Sequence, residues 1–260
     1  MESPYAIENA ISHEVDIISM SWTIRRSVAE LRSQSSGIGI ATSPKKSIDD
    51  SGVTRLEKAI ARAAENKNIL MVCSAADDIE LLAKDTLRYS AARVQIFRIG
   101  ACNSQAQREP SEDNQTISYF LPGIHVPEAR RPHSSTPPVY HDGSSIATAL
   151  AAGLMSMILH CVRYMAQCQE TRPFTPDNGL KNSNYYTRLA EKLKDHASMR
   201  VALTNIVRSQ GSQQPDDPKQ LPVYRLFREK AEKMQNANGL NKIVILEDLV
   251  TDLCSGISKD

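Results

Sequence analysis

One short run concentrates the reactive side chains. Gly143-Ser144-Ser145-Ile146-Ala147-Thr148-Ala149 leads from a polar loop straight into an alanine-rich stretch. A serine at a helix start has two possible jobs. It can cap the first turn, for which serine is among the best residues. Or it can attack a substrate carbonyl, because a helix N-terminus favours developing negative charge and a preceding glycine admits a backbone at close range. The segment by itself leaves both open, with capping the commoner. Asp77, just after an apolar run, reads as a helix cap. Asp50-Ser51-Gly52-Val53 follows a polar loop rather than a strand, and His141, four residues before Ser145, reads as a solvated loop histidine. His13, His125, His133, His160 and His196 show no partner pattern, and no H-E-x-x-H or similar ligand spacing occurs, so no metal or cofactor is expected.

The elements that must position these residues alternate. Residues 4–12 place Ile7 and Ile11 on one helical face. Val15 to Trp22 reads as a strand buried on both sides, and residues 25–51 as a long exposed loop. A helix over Leu56–Asn66 precedes a second buried strand, Ile69 to Cys73, which ends in Ser74-Ala75-Ala76. A helix over 79–90 leads to a third strand, Val94 to Ile99, stopped by Gly100. This βαβ spacing predicts an α/β fold with a mainly parallel sheet and helices on both faces. Tyr119 to Gly123 is a short apolar stretch with a turn, and residues 127–138 form a proline-rich loop. Ile146 to Val162 is nearly all apolar or small, but it carries Thr148, Ser156 and His160 and is short for a membrane span, so a buried helix is expected. Beyond residue 167 come a Pro/Asn/Gly link, a helix over about 185–208, a polar stretch, a helix over about 222–237 and an Ile/Val/Leu segment at 243–250. Residues 1–166 read as one incomplete domain, with 167–260 a helical tail packed on it.

Composition is that of a globular domain: 260 residues, 41% hydrophobic and 23% charged. A net charge of +1 gives no electrostatic case for nucleic acid. Arg25-Arg26 and Arg130-Arg131 are isolated loop charges. The five cysteines form no C-x-x-C pair, which suits reduced thiols in the cytoplasm. Met1 to Pro4 shows neither a basic n-region nor an apolar h-region, so no secretory signal is expected.

Taken in order, five segments resemble the subtilases, the subtilisin-like serine peptidases. Gly143 to Thr148 followed by Ala152-Gly153 resembles G-T-S-M-A-(T/S)-P-x-V-A-G, with Ser145 on the nucleophile. Asp16 to Trp22 (DIISMSW) is similar to the strand V-D-V-I-N-M-S, whose end lines the substrate cleft. Ile69 to Asp77 (ILMVCSAAD) is similar to V-L-V-V-A-A-A-G-N, which carries the oxyanion asparagine. Phe97 to Ala101 resembles V-x-V-G-A, and Leu121-Pro122-Gly123 resembles A-P-G. The wording looks most like the intracellular subtilase domains of multidomain fungal proteins. The resemblance implies a serine endopeptidase acting on peptides or proteins, with no membrane partner and with other domains of a larger protein as possible partners. Ser145 would be the nucleophile and Asp77 the oxyanion-side residue. Ser21, Trp22, Thr23, Ser74, Ala75 and Ala76 would line an extended peptide.

The departures shape the expectation. The family's aspartate, in D-(S/T)-G, and histidine, in H-G-T, precede the substrate strand; neither stands there in this sequence, and H-G-T occurs nowhere. Asp77 replaces an asparagine, as in the related sedolisins; protonated, it could donate a hydrogen bond. Thr23 stands where many members have glycine, and Ala149 replaces a proline. A serine without a base is a poor nucleophile. The chain is therefore expected to be inactive alone. The rival expectations are a non-catalytic pseudopeptidase that still binds peptide, and a gene start placed too late.

Overall fold

The computed structural model describes residues 3–21, 55, 58–66, 68–75, 96–105, 107, 117–128, 138–171, 184–208 and 219–257. The expected loop at 25–51 and helix at 79–90 lie outside them. Helix α1 (Ser3–Ser12) is followed by β1 (Ile17–Met20), a π-helical turn (Arg62–Asn66), β2 (Leu70–Ser74), β3 (Ile96–Cys102) and β4 (Tyr119–Pro122). A short ribbon, β5 (Val126–Pro127) and β6 (Tyr140–His141), leads into α2 (Ser144–Thr171). Then come α3 (Tyr185–Lys192), α4 (His196–Arg208), β7 (Lys219–Gln220), α5 (Val223–Gln235) and α6 (Gly239–Cys254).

The sheet runs β1-β2-β3-β4-β7, every pair parallel. Ile17 pairs with Leu70, Ser74 with Ile99, Cys102 with Pro122, and Phe120 with Gln220. Side-chain alternation sorts the strand residues between two cores. Leu70 and Val72 of β2, with Phe97 and Ile99 of β3, face α2; Met71 and Cys73 face α1 and the Arg62–Asn66 turn, beside Ile7, Ile11, Ile60 and Ala63. Both faces are covered, as a parallel sheet requires. Each large side chain fully removed from water here contributes about 1.5–3 kcal/mol.

At 28 residues, α2 is about 42 Å long. By length and composition it is apolar enough to cross a membrane. In this fold its inner stripe, including Ala147, Ala151, Met155, Ile158 and Val162, lies on all four strands β1–β4. Arg163 on α2 grips Asp16 with two guanidinium bonds of 2.6 and 2.7 Å, tying the far half of the helix to the start of β1. Helices α3, α4 and α6 add Tyr186, Leu189, Leu203 and Leu253 to the same core.

Four expectations are corrected. Gly100 does not stop β3, which continues to Cys102. The ring of Phe120 on β4 occupies the space a Cβ would need, at 2.5 and 2.7 Å, so glycine is a packing requirement inside the strand. Strand β1 is shorter than 15–22 and not buried on both sides; Ser19 is exposed, and among the described residues β1 ends the sheet. The helix expected over 185–208 breaks at Leu193 to Asp195, where the Asp195 carboxylate accepts from the Ser198 amide at 3.0 Å and starts α4 afresh. The 243–250 segment is part of a longer helix, α6.

Candidate functional site

Parallel strands all end at one edge, and loops at that edge carry chemistry in α/β sheets. Here the edge gathers Ser21 after β1, Ser74-Ala75 after β2, Gly123 after β4 and the N-terminus of α2. Two glycines close it. The Gly143 amide donates to the Gly123 carbonyl at 2.7 Å. Gly143 sits at φ +142°, a backbone that side-chain-bearing residues rarely adopt. A Cβ on Gly123 would lie 2.7 Å from the Gly143 oxygen, 2.8 Å from Ala101 Cβ and 3.2 Å from Ala147 Cβ. The loop before α2 is thereby pressed against the ends of β3 and β4.

The adjacent serines have different environments. Ser144 is buried, 1% exposed, and its hydroxyl donates a short hydrogen bond to the Ala75 carbonyl. Its own carbonyl accepts from the buried Thr148 hydroxyl at 2.7 Å. Ser144 therefore locks the helix start onto the end of β2. Ser145 is half-buried, and its hydroxyl makes no hydrogen bond among the described residues. It stands in the first turn of a long helix, where unpaired backbone N–H groups and the helix dipole favour an oxyanion.

Of the residues expected at the site, the structure brings Ser74, Ala75 and Ser145 to one edge, with Ser21 following the neighbouring rung Met20–Cys73. Ser21 is exposed, Ser74 half-buried and Ala75 buried, its amide bonded to the Ile99 carbonyl at 2.8 Å. Trp22, Thr23, Ala76 and Asp77 lie outside the described residues, as do the Asp50 motif and His133.

Two histidines upstream of Ser145, His125 and His141, are committed to the β5–β6 ribbon. His141 Nε2 is 3.3 Å from Glu128 Oε2. His125, at φ +56°, donates its backbone amide to Asp142 Oδ1 at 2.6 Å and brings its ring Nδ1 within 3.2 Å of the same oxygen. The amide bond is the main cause holding the Asp142 carboxyl below its ordinary range, with the His125 ring adding to it. His141 is exposed as expected, but it lies on β6 rather than in a loop. The His125–Asp142 pair contradicts the reading that His125 has no partner. Its 17-residue separation carries no local signal; only the pairing of β5 with β6 brings the two together. No group of three or more potential metal ligands occurs among the described residues.

Residues 3–212 match the Subtilase family, a match that covers most of the chain and passes residue 166 into the helical tail. No match was found among curated proteins. Solved structures similar to it include the prenylagaramide maturation protease PagA, at 18% identity and a TM-score of 0.37 over 74% of this chain and 62% of that one. A chain of the periplasmic assembly from the ESX-5 inner membrane complex gives 17% identity and a TM-score of 0.41 over 69% and 48%. MycP1 from Mycobacterium smegmatis gives 13% identity and a TM-score of 0.39 over 69% and 50%. The chain therefore spans between about half and five-eighths of the length of these structures. The family match extends over strands β1 to β6, the two-glycine contact and the serine-bearing helix described above, and the chain belongs to the subtilase family of serine peptidases.

Proposed function

We propose that the chain is the serine-bearing part of a subtilisin-like endopeptidase domain, with Ser145 as nucleophile toward peptide or protein substrates. The contrast between the two serines carries this reading. The Ser144 hydroxyl is spent on the Ala75 carbonyl inside the core, whereas Ser145 is half-exposed at the helix start. In this reading an extended peptide lies along Ser21–Thr23 and Ser74–Ala76, so that its scissile carbonyl reaches Ser145. Asp77 stands on the oxyanion side. It is useful there only when protonated, since a carboxylate would repel the developing charge.

The reading includes a missing base. The sequence contains no H-G-T, and the two histidines of the ribbon are tied to Glu128 and Asp142. A positioned general base is typically worth about two to four powers of ten. These 260 residues alone are then a very weak catalyst. The same observation favours a second reading, a peptide-binding module of subtilase form without turnover.

The test is turnover of unstructured protein substrates by the purified chain beside Ser145→Ala, with peptide binding measured on both. Binding without Ser145-dependent turnover supports the proposal; absence of both overturns it. An in-frame D-(S/T)-G and H-G-T upstream of Met1 in the transcript would supply the missing base. The helices beyond residue 167 belong to the same domain in this reading, supported by the core they share with the sheet. An intracellular, cytoplasmic location, as in the fungal subtilase domains that the sequence resembles, is part of the proposal; the absence of any C-x-x-C pair from the sequence suits it.

A further inference from the structure

His196 is the first residue of α4, and its imidazole is inserted against the sheet. The ring stacks on Phe97 with centroids 4.1 Å apart and planes at 29°. Phe97 is 0% exposed, near the start of β3 on the face toward α2. Protonation is opposed on three counts. Burial is the largest, the Arg200 guanidinium one turn along adds to it, and the positive end of α4 acts in the same sense. The opposing group is Asp195, whose carboxylate already caps the Ser198 amide. From the sheet, β3 offers only the Phe97 ring. Tyr119 of β4, its ring 6.3 Å from Phe97, bonds to the Arg200 carbonyl and approaches the Thr204 hydroxyl, both at 3.2 Å. Attraction of an imidazolium to the Phe97 face does not offset the cost of burying the charge, so the ring is neutral near pH 7.

We propose that the His196–Phe97 stack is a protonation-sensitive latch that holds α4, and through it the C-terminal end of α6, on the sheet. The connection to α6 is direct. Asn205 of α4 donates from Nδ2 to the Leu253 carbonyl at 2.9 Å and to the Ser255 carbonyl at 2.8 Å. Release of α4 also uncovers Met199, Leu203 and Ile206, all fully buried.

The sign follows from linkage. Folding lowers the His196 pKa from 6.5 to about 4. The latch is at full strength above pH 6.5 and weakens as the pH falls toward 4. A shift of that size caps the effect at roughly 300-fold in the opening equilibrium, and partial exposure of the ring reduces it to roughly ten- to a hundredfold. Asp16 and Asp142 are held below the ordinary carboxylate range, and the displaced cysteines and tyrosines titrate higher. Among the described groups whose ionisation the fold displaces, His196 is the one whose shift covers pH 4 to 6.5.

Hydrogen exchange on the 260-residue chain, corrected for intrinsic rates, tests this between pH 7.5 and 4.5. The expected result is a roughly ten- to fiftyfold loss of protection in α4 and the end of α6, with β2, β3 and α2 unchanged. His196→Phe keeps the stack, has nothing to titrate and should lose the dependence. An equal decline in His196→Phe would overturn the latch. The ring's own titration, followed by its NMR resonances in the wild-type chain, decides the matter even if the variant fails to fold. A midpoint below pH 5 supports the proposal and a midpoint near 6.5 refutes it.

Discussion

Gly123 and Gly153 make a matched pair of perturbations with opposite signs. In Gly123→Ala the new methyl meets the Gly143 oxygen at 2.7 Å, Ala101 at 2.8 Å and Ala147 at 3.2 Å. Two of these contacts need movement, and one is backbone that already accepts no retreat, because the Gly143 amide is bonded to Gly123 itself at 2.7 Å. Overpacking a filled site costs about 1–3 kcal/mol, and weakening that hydrogen bond adds about 1 kcal/mol. Gly153 lies mid-helix in α2, where an added methyl meets nothing within 4 Å. Alanine there stabilises by about 0.5–1 kcal/mol through helix propensity. Urea unfolding with a slope of about 3 kcal/mol/M turns these into midpoint shifts of roughly −0.7 to −1.3 M and +0.2 to +0.3 M. The slopes should be unchanged. A Gly123→Ala midpoint at or above wild type would refute the two-glycine contact that seats the serine loop.

The remaining expectations are brief. Gly100→Ala forces a methyl into the Phe120 ring at 2.5 Å and should destabilise by about 1–3 kcal/mol in the same urea assay. Asp16→Asn removes the two-pronged Arg163 contact, and because both side chains are partly exposed the loss is only about 0.5–1 kcal/mol. The Arg163 bond holds the Asp16 carboxyl below 3.8, so that contribution is full above pH 3.8 and disappears as the pH falls through the lower folded value. Cys73, pushed up to about 11 by burial, and the buried Cys102 and Cys254 should resist iodoacetamide in the native state. Mass spectrometry after unfolding should show all three modified.

The sheet was legible because its strands are short apolar runs, the pattern of a parallel sheet covered on both faces. Leu70 to Ser74 and Ile96 to Cys102 show it best, every residue but Arg98 and Ser74 being buried. The misjudged boundaries come from contacts distant in sequence. Gly100 looks like a stop until Phe120 is seen filling the space above it. The break between α3 and α4 rests on one aspartate cap inside a continuous amphipathic pattern. At the site, the choice of Ser145 as candidate rests on an ordered series of motifs. The different environments of Ser144 and Ser145 were not legible, because they depend on a hydrogen bond spanning 69 residues. Likewise, nothing local to His125 points to Asp142, or to Phe97 beneath His196.

The central proposal is that Ser145 is a subtilase nucleophile with no base bonded to it among the described residues. Fluorophosphonate labelling at neutral pH, followed by intact mass and peptide mapping, tests it most directly, with Ser145→Ala and Ser144→Ala as controls. The expected result is a wild-type labelling rate indistinguishable from that of Ser145→Ala. A rapid, stoichiometric adduct on Ser145 that vanishes in Ser145→Ala would contradict the claim, and His141→Ala and His125→Ala would then identify the base.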